Sequence, residues 1–168
     1  PSAAVIDSQS VKTSEGGEAR GVDVHKQTPG RKRHLVVDVL GLVLLVVVHS
    51  ASIQDGAGGL LTLQKLFDHI KHNLHNRWCR LKLIWADGGY PSIIDAVRQR
   101  FGWTLQIVKR SDEVKGFQVL PHRWVVERTF GWLGRYRRLA RDYEHTTLSS
   151  ESMVYIASSR RMLKILTT

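Results

Sequence analysis

The segment Leu81–Tyr90, with the sequence LKLIWADGGY, constrains the fold of this 168-residue chain more than any other stretch. A short run of bulky apolar residues stops there at a carboxylate, Asp87, and two glycines follow at once. The short length and the closing Gly-Gly pair are typical of a buried strand rather than a helix. Asp87 is therefore predicted at the C-terminal end of a strand, where ligands bind in open α/β sheets and where glycines allow close approach of a substrate backbone.

Asp87 has two interpretations that this segment alone does not separate. A carboxylate in such a position is costly to bury unless a cation neutralises it, and a divalent metal is the usual solution. Alternatively, Asp87 caps the helix that is predicted to open near Pro91. Other parts of the chain decide between them.

The remaining segments predict a mixed α/β fold in one domain, because 168 residues are enough for one sizeable core. In chain order the predicted elements are a short strand ending at Asp7, a surface loop over 12–30, a hairpin over 32–50 with its turn at 38–41, a helix over 55–74 capped by Asp55, the strand of Asp87, a helix over 93–101, a strand over 104–108, a long helix over 122–144 and a helix over 149–166 capped by Ser149 or Ser150. This order favours a mixed sheet, with the hairpin as its antiparallel flank and helices on its faces.

Charge and composition indicate the class of partner. The formal net charge of +10 favours a polyanion, since Lys and Arg that neutralise phosphates release condensed counterions. A membrane surface is the weaker alternative, and the longest apolar run, 35–48, is too short to span a bilayer. The single cysteine, Cys79, excludes an internal disulfide and fits a reducing cytoplasm. We therefore expect a cytoplasmic protein, at the nucleoid when bound to DNA, with no signal peptide.

A third carboxylate, Glu127, lies in the predicted helix over 122–144. At about 100° per residue, one narrow stripe of that helix carries Arg123, Glu127, Gly131, Gly134 and Arg138. Helix-interior glycines cost roughly 1 kcal/mol each relative to Ala, so two on one face suggest a purpose, such as close approach of a phosphodiester backbone held by the arginines. The alternative is a weak surface pair between Glu127 and Arg123, which is the commoner arrangement for a lone glutamate.

Asp7, Asp87 and Glu127 together indicate metal-dependent phosphoryl transfer on a basic domain. That chemistry uses two Mg²⁺ ions roughly 4 Å apart, one activating the attacking oxygen and the other stabilising the leaving oxygen. Three carboxylates roughly offset the charge of the ions and leave coordination sites open for water and phosphate. We expect Mg²⁺, with Mn²⁺ as a substitute.

Three motifs carry a resemblance to a known family: VIDSQSVKT around Asp7, WADGGY around Asp87 and RWVVERTFGWLGRYRRLARDYE around Glu127. They resemble the catalytic domain of bacterial insertion-sequence transposases of the DDE type, in the insertion-sequence-5-like group, over nearly the whole chain. The resemblance implies a ribonuclease-H-like fold, DNA strand cleavage and transfer at element ends, and a homodimer on DNA. It also implies that these three carboxylates are the catalytic metal ligands, and that Arg123 contacts DNA or steadies the site. The residues predicted to contact DNA are Arg123, Arg128, Arg135, Arg138, Lys109 and Arg110.

The chain departs from the family pattern in two respects. Related signatures have a Tyr three residues before the arginine and a Lys seven residues after the glutamate, where this chain has Leu120 and Gly134; Arg135 is adjacent to the second. Family members usually have a helical DNA-binding region ahead of the first aspartate, and we expect it to be absent here. Two rival functions stay open: a nuclease of the same fold without transposition, and a non-catalytic basic DNA-binding remnant.

Overall fold

The computed structural model describes residues 1–14, 16–72, 80–108 and 123–167. The strands in this part of the chain are β1 (Ala3–Lys12), β2 (Gly21–Asp23), β3 (Thr28–Asp38), β4 (Val43–Ser50), β5 (Leu83–Ala86) and β6 (Thr104–Ile107). The helices are α1 (Asp55–His72), α2 (Ile94–Phe101), α3 (Trp124–Gly134) and α4 (Thr147–Leu166), and a 3₁₀ turn at Pro91–Ile93 precedes α2. No helix in these ranges is both long and apolar enough to cross a membrane.

All six strands form one mixed sheet. β3 pairs antiparallel with β1 along one edge and with β2 and β4 along the other. β1 pairs parallel with β5, and β5 pairs parallel with β6. The antiparallel half joins the parallel half through β1, and helices cover the faces. This mixed sheet was predicted from the order of elements, and it is the ribonuclease-H-like fold that the family resemblance implied. The carboxyl ends of β1 and β5 consequently point the same way.

Side chains alternate across the sheet and divide the core into two layers. Ile6 and Val36 pack on one face, in a cluster that continues into α1, α2 and the 3₁₀ turn. Val5 and Leu35 pack on the other face, in a cluster with α3 and α4 that includes Val126. Asp7 lies two positions after Val5 on β1, so its side chain is on the face covered by α3 and α4.

A buried ionic cluster of Arg31, Arg33 and Asp142 ties β3 to the segment between α3 and α4. The Arg31 and Asp142 side chains are fully buried, with Arg31 Nη1 3.4 Å from Asp142 Oδ1. Ser150 Oγ donates to Asp142 Oδ2 at 2.6 Å, and Arg31 Nε and Nη2 donate to the carbonyl of Glu18. The hydroxyl and carbonyl partners compensate the desolvation of these charges.

Two expectations about the first thirty residues are wrong. β1 does not end at Asp7 but continues to Lys12, which pairs with Gly30 of β3. The segment predicted as an irregular loop contains β2 and the start of β3. The Asp23 carboxylate accepts hydrogen bonds from Ser10 Oγ and from the backbone N–H groups that follow it, which closes the β2–β3 turn.

The prediction of one long helix over 122–144 is wrong beyond Gly134. Its first residue, His122, lies outside the described residues. α3 ends at Gly134 because the next N–H groups bond in tighter turns, with Arg135 N–H donating to Trp132 O at 3.2 Å. The chain then turns so that Asp142 reaches the buried ionic cluster. Arg138 is therefore not on the helical stripe of Glu127.

The residue that caps α4 is not one of those predicted, and the predicted cap of α1, Asp55, bonds to other side chains. α4 begins earlier than predicted, capped by Thr146, whose hydroxyl accepts from the N–H of Ser149. At α1, the Asp55 carboxylate accepts from Ser8 Oγ at 2.8 Å and pairs with Lys32 Nζ at 2.9 Å. The predicted β3–β4 hairpin is confirmed, and α1, α2 and β6 lie within two residues of their predicted bounds.

Candidate active site

Adjacent parallel strands bring Asp7 and Asp87 side by side. Val5 of β1 is in register with Trp85 of β5, and the two aspartates each lie two residues farther on. Asp7 is in the middle of β1, on the face covered by α3, whereas Asp87 directly follows β5. Glu127 reaches the same place from the first turn of α3, which packs on β1.

One arginine lies between these three carboxylates, which we call the carboxylate triad. Arg123 Nη2 is 3.2 Å from Glu127 Oε1, 3.7 Å from Asp7 Oδ2 and 3.9 Å from Asp87 Oδ2. Only the Glu127 contact is short enough for a hydrogen bond. Glu127 therefore does pair with Arg123, but the same guanidinium also faces both aspartates.

Burial distinguishes Asp7 from the other two carboxylates. Its side chain is 14% exposed, and burial raises its pKa from 3.8 to about 6 against the lowering effect of the Ser8 N–H. That N–H donates to Asp7 Oδ1 at 2.7 Å. The nearby Asp87 charge also raises the pKa of Asp7, whereas Arg123 lowers it. A cation beside Asp7 would favour its ionised form.

Asp87 stabilises the glycine turn and does not cap the helical turn that follows. Its Oδ1 accepts from the N–H of Gly89 at 2.8 Å, while Oδ2 is the atom nearest Arg123. The 3₁₀ turn that follows is preceded by Tyr90, which makes no side-chain cap hydrogen bond. A Cβ at Gly89 would lie 3.1 Å from Asp87 Oδ1 and 3.3 Å from Asp55 Cβ. Gly89 thus allows the turn to fold tightly against the carboxylate.

The donor chemistry of the carboxylate triad fits a divalent cation. Carboxylate oxygens are the ligands that Mg²⁺ and Ca²⁺ prefer, and the guanidinium of Arg123 already supplies positive charge between them. Within the described ranges, no group of three or more His, Cys, Asp or Glu side chains is arranged so that it could hold a metal ion as it stands. As the structure stands, the three carboxylates face the Arg123 guanidinium instead.

Arg128, a predicted DNA contact, is engaged within the protein. Its guanidinium carbon lies 4.3 Å from the ring centroid of Trp124 and 4.4 Å from that of Trp132. Its Nη2 donates to the carbonyl of Leu40 at 2.9 Å. The two tryptophans thus hold Arg128 by cation–π contacts, a role that the helical pattern alone does not predict.

The remaining residues that were predicted to contact DNA have different surroundings. Arg135 is exposed just after α3, and Arg138 pairs with Glu144 through a 2.7 Å hydrogen bond. Among the described atoms, none lies within 4 Å of a Cβ added at Gly131 or Gly134, so both glycines border open space. Lys109, Arg110 and Leu120 lie outside the described residues.

Sequence reasoning missed the polar groups behind Asp7 on the α1 side of the sheet. Lys32 is buried between Asp55 and Asp23, at 2.9 Å and 3.4 Å. The Tyr90 side chain is fully buried on the same side of the sheet. Burial, followed by the charges of Asp7 and the neighbouring aspartates, raises the Tyr90 pKa well above its ordinary value. The signal available in the sequence was the basic run RKRH at 31–34, which directly precedes the apolar part of the predicted strand.

Comparisons with known proteins identify the family of this chain. A family model described as the transposase DDE domain matches residues 1–158. The chain is 36% identical over 118 residues to a putative transposase for insertion sequence element IS402 from Burkholderia cepacia, a match that covers 69% of this chain and 54% of that protein. The chain thus spans about half the length of that relative. No solved structure gives a significant match.

Proposed function

This chain belongs to the transposase DDE domain family, and from that premise we propose that it cuts DNA at the ends of an insertion sequence and joins the cut strand to target DNA. The observation that carries the proposal is the convergence of Asp7, Asp87 and Glu127 on one guanidinium. Side chains from three separate elements meet there, although 80 residues separate the two aspartates in the numbering. A surface ion pair does not require such a convergence.

The three carboxylates would hold divalent cations, with Mg²⁺ as the expected ion. When bound, the ions supply an activated attacking oxygen and stabilise the leaving oxygen of the phosphodiester. Asp7 and Asp87 are fixed by paired strands and so define the position of the site. Glu127 is half-exposed on a helix, which allows its carboxylate to adjust as DNA and ions bind.

Other features of the chain support DNA as the substrate. The net charge of +10 attracts a polyanion at long range. Gly131 and Gly134 leave open space beside Glu127's helix, and Arg135 is exposed at its end. A phosphodiester backbone could approach that surface closely, with Arg123 and Arg135 as donors to phosphate oxygens.

The test is cleavage of DNA that carries paired terminal inverted repeats, in Mg²⁺ or Mn²⁺. We expect Asp87→Asn to abolish cleavage without loss of fold, because the amide removes a negative ligand and preserves the shape. Asp95→Asn is the matched control, since Asp95 is an exposed aspartate in the first turn of α2. Retained nicking by Asp87→Asn would contradict the assignment. Hydrolysis without joined products would indicate a nuclease rather than a transposase.

A further inference from the structure

Arg123 occupies the space in which a cation held by the carboxylate triad would lie. A single nitrogen, Nη2, is within 4.0 Å of Asp7, Asp87 and Glu127. The side chain is 16% exposed, so the charge is largely withdrawn from water. A divalent ion bound by the same oxygens would lie within a few ångströms of this guanidinium, where like charges repel strongly.

The Arg123 guanidinium makes few hydrogen bonds in this position. Its contacts to Asp7 and Asp87 are too long for hydrogen bonds, and only Glu127 accepts at 3.2 Å. Its Nε is buried without a hydrogen-bond partner among the described residues. An arginine has five N–H donors in a rigid fork, so this one is held mainly by charge. Such a side chain is well suited to exchange.

We propose that Arg123 competes with the metal for the carboxylate triad: it neutralises the three carboxylates when no divalent ion is bound and moves out when one binds. Its donors then become available to a phosphate oxygen of DNA, so cation binding and DNA binding reinforce each other. This inference rests on the proposed function, since it concerns the same site.

The position of Arg123 on the chain permits this movement. It immediately precedes α3 and is one helical turn from Glu127, whose side chain is half-exposed. Rotation of the Arg123 side chain toward solvent would therefore release the oxygens of Asp7, Asp87 and Glu127 together.

Calorimetric titration with Mn²⁺ tests the competition. Removing a competing charge should make Arg123→Ala bind Mn²⁺ roughly tenfold more tightly than the native chain, which corresponds to about 1.4 kcal/mol. Arg123→Lys should show a smaller gain, since it keeps the charge but not the planar fork. Lys82→Ala removes the same charge at the opposite end of β5 and should leave the affinity unchanged. Circular dichroism checks that each variant is folded.

The opposite result would identify a structural role. If Arg123 merely held the carboxylates in place, Arg123→Ala would bind Mn²⁺ more weakly than the native chain, and the competition would be overturned. Equal affinity would overturn it as well. If Asp87→Asn still abolished cleavage, the proposed function would stand without this inference. Mn²⁺ binding by neither the native chain nor Arg123→Ala would overturn both.

A second readout tests the coupling to DNA. Fluorescence anisotropy with a labelled duplex should show that Ca²⁺, used as a non-cleaving cation, strengthens DNA binding several-fold in the native chain. We expect Arg123→Ala to lose most of this gain, because the freed guanidinium is missing. An equal gain in both proteins would overturn the step in which Arg123 moves to phosphate.

Discussion

Two arginine–carboxylate clusters lie on the same face of this sheet, and the guanidinium of Arg31 in one is more completely hydrogen-bonded than that of Arg123 in the other. In the buried ionic cluster, Arg31 is fully buried and all three of its guanidinium nitrogens donate to oxygens of the protein. In the carboxylate triad, Arg123 makes one hydrogen bond through Nη2, and its Nε is buried without a partner among the described atoms. The first arginine has no spare donor for a ligand, whereas the second has.

This difference is what we expect if Arg31 has a structural role and Arg123 has the proposed role at a cation site. The buried ionic cluster joins residue 31 to residue 142 and fixes the segment that leads into α4. Its charges repay their desolvation only while every partner stays in place. The carboxylate triad gathers three negative groups around one incompletely bonded cation. A buried donor without a partner costs stability, and under our proposal a divalent cation would replace this arginine.

The largest expected change in stability comes from breaking the buried ionic cluster. Asp142→Asn should lower the free energy of unfolding by about 3–5 kcal/mol, because two buried guanidiniums lose their counter-ion. Urea denaturation followed by circular dichroism measures this directly. A loss below about 1 kcal/mol would mean that backbone carbonyls alone satisfy Arg31 and Arg33, and the contrast between the clusters would fail.

An intermediate effect, of opposite sign, is expected at Asp7. Burial raises its pKa from 3.8 to about 6, so at pH 4 the residue is protonated in the folded chain and about half protonated in the unfolded chain, and little stability has yet been lost. As pH rises to 7 the unfolded state releases this proton more readily, and the native chain loses about 2–3 kcal/mol relative to Asp7→Asn. The measurement is urea denaturation of both proteins at pH 4 and pH 7, compared as a difference so that other groups cancel.

Two controls sharpen the Asp7 prediction. Added Mg²⁺ should recover part of the loss at pH 7 in the native chain and none in Asp7→Asn, since a cation favours the ionised carboxylate. A pH-independent difference between the two proteins would show that Asp7 is not held in an unfavourable charge state.

The smallest effect is expected at Glu127. Its side chain is 50% exposed and pairs with Arg123 within one helical turn, an arrangement worth a few tenths of a kcal/mol. Glu127→Gln should therefore leave urea unfolding almost unchanged while it weakens Mn²⁺ binding in calorimetry. A stability loss comparable to that of Asp142→Asn would place Glu127 in a structural network and remove the contrast.

Sequence reasoning succeeded where the signal was local. The apolar run before Asp87 and the Gly-Gly pair after it specify a strand end and a turn within ten residues. It failed at Asp7, because the polar residues after it resemble a strand end. In the fold, Ser8 and Ser10 bond to Asp55 and Asp23, partners that are distant in sequence. Only the tertiary structure supplies such partners.

The same reasoning explains the misplaced end of α3. The apolar period continues past Gly134, but Leu139 packs against the sheet from a turn, and Arg33 Nη1 donates to its carbonyl at 2.7 Å. The side chains that satisfy buried Arg31 and Arg33 are few, and most acceptors are backbone carbonyls, which carry no sequence signature. A helical wheel relates Arg123 only to Glu127 on the same predicted helix. It could not predict that Asp7 and Asp87, which lie on other elements, also face this guanidinium.

The most direct test of the shared cation site is a crystal structure of the native chain with Mn²⁺, examined by anomalous scattering. We predict a manganese peak bound by carboxylate oxygens of both Asp7 and Asp87, at about 2.2 Å, with the Arg123 guanidinium displaced from its present position. Manganese bound elsewhere, with Arg123 still between the three carboxylates, would contradict the account.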